Sequence, residues 1–312
     1  MSQSNSFNLT RRQVLSAGVA LTATGLAGVP GRAVAEASLA VGDHELTVFS
    51  DGHLSLPMNF VLPNQSEQEI SELLTPHGLA TDALRPDCNV TLLRSGDRLV
   101  LFDVGAGANF QPTAGELPGK LDEAGIDPSD ITDVVLTHGH PDHLWGILDD
   151  FDDPFYPEAT IWVPQAEWDF WRADDTLAKT PEARKSFVVG AQARFEAIED
   201  QVSMIKPDQE IFPGVEAVDT SGHTPGHMSY AIHGGAESVF IIGDAITNSI
   251  ISFEKPEWIS GTDTDGEKGV KTRLRLLDRL AQDKSRVIGF HFPNPGEGRV
   301  EKTGDGYTYV AG

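Results

Sequence analysis

The segment Thr137-His138-Gly139-His140-Pro141-Asp142-His143 constrains this chain more than any other. It packs three imidazoles and a carboxylate into six residues, directly after the apolar run Asp133-Val134-Val135-Leu136. Imidazoles at the first, third and sixth positions and a carboxylate at the fifth match neither the 3.6-residue period of a helix face nor the two-residue period of a strand face. The spacing therefore predicts an irregular turn at a strand's end, from which the side chains converge. Such convergence is costly without a shared electrophile, and these residue types are the ones that ligate a divalent cation.

Further candidates come later, each beside a glycine or at the end of an apolar run. They are His223 in Ser221-Gly222-His223-Thr224-Pro225-Gly226-His227, Asp244 in Ile241-Ile242-Gly243-Asp244, and His291 in Gly289-Phe290-His291. Five histidines and two aspartates exceed what one tetrahedral or five-coordinate zinc can use. Two ions suit the inventory: His138, His140 and His223 on one, Asp142, His143 and His291 on the other, with Asp244 and a hydroxide between them. The two carboxylates and the hydroxide would leave about one positive charge to draw in a polarised substrate oxygen.

The N-terminus reads Asn8-Leu9-Thr10-Arg11-Arg12-Gln13-Val14-Leu15, then an Ala/Gly-rich stretch ending in Ala33-Val34-Ala35. This resembles a twin-arginine export signal over residues 1–35, with a periplasmic or secreted destination. Its apolar part, residues 14–29, is too short and too polar for a membrane span. Removal of the leader would leave about 277 residues, a length one α/β catalytic domain over residues 36–312 can occupy.

Cys88 is the single cysteine, so no intrachain disulfide is available, and the expected role is that of a small buried apolar group. The whole chain carries 47 acidic against 23 basic side chains, net −24, and the leader holds three of the arginines and no acid. A balance this acidic argues against nucleic acid, whose phosphates need clustered Lys and Arg. It also makes anionic substrates harder to attract, so a small neutral ester or lactone is the expected partner. A homodimer is the expected assembly.

Along the chain, residues 90–93 and 99–102 read as a hairpin around Arg94-Ser95-Gly96-Asp97-Arg98. Residues 117–124 read as a helix stopped by Gly125, and 131–137 as the strand that delivers the first candidates. A short helix is expected after His143, a loop over 149–158, a strand over 160–163, and helices over 165–172 and 181–200. Strands follow over 215–219, 228–233 and 239–242, then a helix over 267–282 and a strand over 286–290. No internal repeat or low-complexity segment is present. Two strand-rich halves with interleaved helices imply two packed sheets flanked by helices, with the candidates on one rim.

Phe102-Asp103-Val104-Gly105, the His138–His143 cluster, Gly222-His223, Gly243-Asp244 and His291, in this order, resemble the metallo-β-lactamase superfamily. The resemblance implies an α/β fold, an αββα four-layer sandwich with two metal ions at its rim. It assigns His138, His140, His143, His223 and His291 as ligands and Asp142 as ligand and orienter of the hydroxide. It makes Asp244 the bridge and Asp103 a support for the ligands.

Phe49-Ser50-Asp51-Gly52, Asn109-Phe110-Gln111-Pro112, Asp169-Phe170-Trp171 and Thr303-Gly304-Asp305-Gly306-Tyr307 look like the methyl parathion hydrolase branch. That closer likeness implies an aromatic substrate pocket of Phe110, Trp171 and Phe187. Asn294 stands where that branch tends to carry an aromatic. Thr247 stands where acyl-homoserine lactonases of the same superfamily carry a tyrosine. Residues 245–251 hold no basic group for the carboxylate of a β-lactam.

Two zinc ions would lower the pKa of water from 15.7 towards about 7 and so supply a hydroxide nucleophile at neutral pH. The implied enzyme is an exported metal-dependent hydrolase of neutral ester-type bonds: a lactone, an aryl ester or a phosphotriester. Asp142 would return the proton to the leaving group, Asp244 would bridge, and His227 would stabilise a turn or a ligand. Alternatives are an acyl-homoserine lactonase, a thioester hydrolase of the glyoxalase II type, and a metal-binding protein without turnover. Surface or core positions are expected for His44, His53, His77 and His233.

Overall fold

The computed structural model describes residues 37–304 and 306–312; the expected leader over residues 1–35 lies outside them. Two seven-stranded sheets are formed among the described residues, and each runs in chain order. The first comprises β1 (Ala37–Val41), β2 (His44–His53), β3 (Asp87–Ser95), β4 (Arg98–Phe102), β5 (Asp133–Val135), β6 (Thr160–Pro164) and β7 (Val202–Ile205). β1 to β4 pair antiparallel and β4 to β7 parallel. The second comprises β8 (Glu210–Phe212), β9 (Val215–Asp219), β10 (Met228–Gly234), β11 (Glu237–Ile241), β12 (Arg286–Ile288), β13 (Glu297–Thr303) and β14 (Gly306–Ala311). Only β11 and β12 pair parallel there.

Alternation along the strands builds the layers, because successive side chains point to opposite faces. Leu93, Val100 and Phe102 of the first sheet meet Tyr230, Ile232, Val239 and Ile241 of the second in a core between the sheets. Their sequence neighbours Leu92 and Leu101 face outward under the helices Leu117–Glu123, Gln165–Arg172 and Lys185–Ala197. On the second sheet Ala231, Phe240 and Val287 face outward onto Leu276, Leu277 and Leu280 of the helix Gly266–Asp283. The architecture is the αββα sandwich the sequence implies.

The hairpin, the helix at 117 and the strands at 160 and 215 stand where the pattern places them. The helix expected over 181–200 is divided. Arg184 leaves the helical region (φ −117°, ψ 3°) and separates a 3₁₀ turn, Glu182–Arg184, from the helix proper. A short helix, Thr176–Lys179, precedes them. Before β3, a segment with no expected element carries the helix Glu67–Leu74, whose N-terminus is closed by a reciprocal Ser66–Glu69 capping box.

Candidate metal centre

The strand ends carry the site. β4 delivers Asp103, β5 delivers His138 and His140, β9 leads into His223, β11 into Asp244 and β12 into His291. The cluster after β5 is not one irregular turn. His138 and His140 lie in the turn, while Asp142 and His143 occupy the first turn of a helix, Pro141–Leu144, with Pro141 at its first position. Proline is tolerated there because that N–H has no intrahelical partner, and its fixed φ starts the helix.

The seven residues converge. His138 Nε2 and His223 Nε2 each lie 2.9 Å from His140 Nδ1. Asp244 Oδ2 is 3.2 Å from His223 Nε2 and 3.4 Å from His291 Nε2, and Oδ1 is 3.3 Å from His143 Nε2. Asp142 Oδ2 is 3.4 Å from His143 Nε2 and 3.2 Å from His291 Nε2. Asp244 therefore stands between a group containing His138, His140 and His223 and a group containing Asp142, His143 and His291. All seven are nearly or fully buried.

The remote ring nitrogens fix which lone pairs face inward. His143 Nδ1 donates to Asp103 Oδ2 (2.8 Å), His223 Nδ1 to Asp263 Oδ1 (2.9 Å), His291 Nδ1 to the Asp87 carbonyl (2.9 Å), and His138 Nδ1 to Thr137 Oγ1 (3.0 Å). With those nitrogens protonated, the Nε2 atoms are left to converge on His140 Nδ1 and on the Asp142 and Asp244 carboxylates, a set that needs protons or cations between its members. The buried atoms His143 Nε2 and Asp244 Oδ1, 3.3 Å apart, form no hydrogen bond of good geometry with each other or with any other described residue. Orphans of this kind in a His/Asp set are the mark of a cation site, and the residues fit two divalent ions.

The titration behaviour has the same origin. Burial, reinforced by neighbouring histidines, holds His138 and His140 well below the ordinary imidazole value. Burial pushes His143 and His291 the same way, but the carboxylates of Asp142 and Asp244 outweigh it and raise both. Asp244 and Asp263 likewise overcome burial at His223 and lift it to about 9. Asp142 and Asp244 are buried yet held well below the usual carboxylate range by His143 and His291. Without cations the pocket is a proton-laden charge cluster, so metal uptake releases protons and weakens as pH falls.

Asp103 has φ 61°, the left-handed region, and its carboxylate also accepts from Thr137 N (2.7 Å) and Thr137 Oγ1 (2.8 Å). Backbone strain of this kind persists where the surroundings over-determine it. His227 Nδ1 contacts Thr220 Oγ1 (2.8 Å), while Nε2 accepts from the Asp244 N–H (2.9 Å), which places the bridging aspartate's backbone. Cys88 is buried as expected, but its thiol lies among the potential ligand atoms of Asp142 and His291, all within 4.8 Å of one another.

Phe110 and Phe187 pack edge to face at 5.8 Å, Phe187 lies 6.0 Å from the His140 ring, and Trp171 lies 5.7 Å from it. Trp171 occupies the space a side chain at position 139 would need, which explains the glycine between His138 and His140. Asn294 is tied to β3 instead of lining the cleft: its N–H donates to Asp87 Oδ2 and its Nδ2 to Asn89 Oδ1, both 2.9 Å. His77 pairs with Glu254 (2.7 Å), His233 with Glu216 (3.1 Å) and His44 with Ser95 (3.0 Å); none of these three, nor the partly buried His53, belongs to the cluster. Of the Thr303–Tyr307 motif, Thr303 and Gly306 pair at the end of β13 and the start of β14, and Tyr307 lies in the outer core under the helix Gly266–Asp283.

Sequence reasoning missed two carboxylates that hold the site together. Glu167 is fully buried; its Oε2 accepts from Gly139 N (3.0 Å) and Trp171 Nε1 (2.6 Å), and its Oε1 from Gly226 N (2.8 Å). It thus clamps two ligand-bearing turns. Asp263 receives His223 on one oxygen and the buried Arg273 (3.3 Å) on the other. Neither sits in a recognisable motif. The only signal was a charged residue on an otherwise inward helix face at Glu167.

A family model described as the metallo-beta-lactamase superfamily matches residues 85–291. The chain belongs to that superfamily. Among solved structures, AidC, a dizinc quorum-quenching lactonase in complex with a product, superposes with a TM-score of 0.83 at 26% identity, covering 88% of this chain and 97% of AidC. The hydrolase AbOPH gives 0.80 at 27%, covering 88% and 96%. The N-acyl homoserine lactonase AiiB of Agrobacterium fabrum is 22% identical over 295 residues, 85% of this chain and 99% of AiiB. A probable metallo-hydrolase of Mycobacterium tuberculosis is 28% identical over 180 residues, 51% of this chain; the match spans 56% of that relative's length.

Proposed function

We propose that this superfamily member is a dinuclear zinc hydrolase of ester-type bonds, with lactones, aryl esters and phosphotriesters as the substrate classes. The observation that carries the reading is the pair of 2.9 Å contacts that brings three buried imidazole nitrogens together, beside an aspartate shared with a second His/Asp group. His138, His140 and His223 would hold one ion, Asp142, His143 and His291 the other, and Asp244 both. When bound, the ions lower the pKa of water and polarise a carbonyl or phosphoryl oxygen. The lactonases among the relatives support the lactone class.

The chain's own groups do the rest. Asp142 lines the cleft beside Asp244 and is the group placed to carry a proton from the attacking water to the leaving oxygen. Leu54, Leu56, Phe60, Phe110 and Phe187 form the cleft's apolar wall, which excludes bulk water and seats an uncharged acyl or aryl group. That aromatic wall supports the methyl parathion hydrolase-like branch. Asp103, Asp263 and the Asp87 carbonyl hold His143, His223 and His291 in the tautomer the reaction needs.

The test is metal content measured alongside turnover of an acyl-homoserine lactone, a 4-nitrophenyl ester and an organophosphate. Two ions per chain with turnover in at least one class is expected; full activity after exhaustive chelation overturns the reading. The twin-arginine leader belongs to the same proposal. Cell fractionation of the full chain against a variant with Arg11 and Arg12 both changed to lysine tests export: the variant is expected to stay in the cytoplasm, and unchanged export refutes it.

A further inference from the structure

A cavity of about 470 Å³ adjoins the cleft over the His/Asp cluster, bounded by Phe170, Trp171, Thr176, Thr180 and Thr264. The cleft itself is much tighter, about 50 Å³. His140, Phe187 and Arg184 line both spaces, so a substrate reaching from the cluster into the larger cavity passes Arg184.

Arg184 is the one residue in this wall whose chemistry the proposed reaction leaves unused. It is half-buried, and burial lowers its pKa without removing the charge. Among the described residues its guanidinium makes one hydrogen bond, a long one of 3.3 Å from Nη1 to the Thr262 carbonyl, and no carboxylate lies within ion-pair distance. The acids around it are committed elsewhere. Asp175 is paired with Lys179, the cavity's other cation, and Glu182 with Lys185. Asp263, whose field reaches Arg184, is bound by His223 and Arg273. In a chain with 47 acidic side chains, an unpaired guanidinium turned to the cleft leaves most of its donors for a ligand.

We propose that Arg184 is a specificity-determining residue that receives a carboxylate carried by the substrate at a distance from the scissile ester. This rests on the hydrolase reading above and departs from the expectation of an entirely neutral substrate. That expectation followed from net charge, whereas the cation arrives from the break before the helix Lys185–Ala197. A guanidinium fork binds a carboxylate through two parallel N–H···O bonds, and its local field outweighs the distant negative surface. The apolar walls take the methylene chain between the carboxylate and the reacting carbonyl.

The test compares 4-nitrophenyl hexanoate with 4-nitrophenyl hydrogen adipate, which differ only in a terminal methyl against a carboxylate. The zinc-loaded wild type is expected to favour the adipate in kcat/KM. Arg184→Met is expected to lower the adipate-to-hexanoate ratio by about 10- to 100-fold, the value of a hydrogen bond to a charged group, with Arg184→Lys between the two. A ratio in Arg184→Met within twofold of wild type overturns the proposal. Titration calorimetry with N-phenyladipamic acid, whose anilide resists hydrolysis, decides the matter even if neither ester is turned over. At least tenfold weaker binding to Arg184→Met supports the assignment, and equal affinity overturns it.

Discussion

Removing the Glu167 carboxylate tests whether the two ligand-bearing turns are held by one buried group. Three N–H donors, from Gly139, Gly226 and Trp171, end on its two oxygens. Each donor left buried without an acceptor costs about 1–3 kcal/mol. Relief of carboxylate burial, which raises the Glu167 pKa, offsets part of that. Glu167→Ala should therefore destabilise by roughly 3–5 kcal/mol. Glu167→Gln keeps one acceptor oxygen, best placed towards Gly139 and Trp171, and turns its amide nitrogen onto the Gly226 N–H; the expected cost is about 1–3 kcal/mol. A pKa raised in the folded state gives stability that is present below the unfolded value of 4.5 and lost as pH rises through the folded one. The Gln penalty should therefore shrink as pH is raised from 4.5. Urea unfolding at several pH values measures the stability, and competition with a chelator measures zinc affinity, expected to fall about 10–100-fold in the Ala variant. An Ala variant within about 1 kcal/mol of wild type and with unchanged zinc affinity would refute the clamp.

Asp244→Ala should lose zinc and turnover together, and retention of both ions by elemental analysis would remove Asp244 from the bridging role. Asp263→Ala leaves Arg273 buried without its carboxylate and should cost about 3–5 kcal/mol in denaturant unfolding; Asp263→Asn should be milder and show chiefly as weaker zinc binding in the chelator assay. Burial pushes the Cys88 thiol up to about 11, so it stays protonated through neutral pH. Iodoacetamide at pH 8 is accordingly expected to label the chelator-treated protein only after unfolding, and labelling of the native fold would contradict that burial. The Tyr230 hydroxyl donates to the Leu136 carbonyl at 2.6 Å, tying the second sheet to the strand that leads into His138. Tyr230→Phe should lower stability by about 1 kcal/mol in the same unfolding assay.

The amino-acid order by itself determined the fold class and the ligand candidates. Both are written locally, in apolar runs of strand length and in histidines placed directly beyond them. Helices with a sharp amphipathic pattern, such as Gly266–Asp283, were legible to within a residue at either end. The strands His44–His53 and Glu297–Thr303 were not, because polar residues and glycine interrupt their alternation and their pairing comes from partners elsewhere in the sheet. Only the tertiary structure decided what surrounds the cluster. Glu167, Asp263 and Arg184 are single polar residues with no local signature. Their roles arise because Gly139 and Gly226 lie 87 residues apart in sequence yet on the two oxygens of one carboxylate, and because a helix break sets a cation beside a cleft built from distant strand ends. Side-chain periodicity records which face of an element is buried, but not which elements meet there; that is settled by how the two sheets pack.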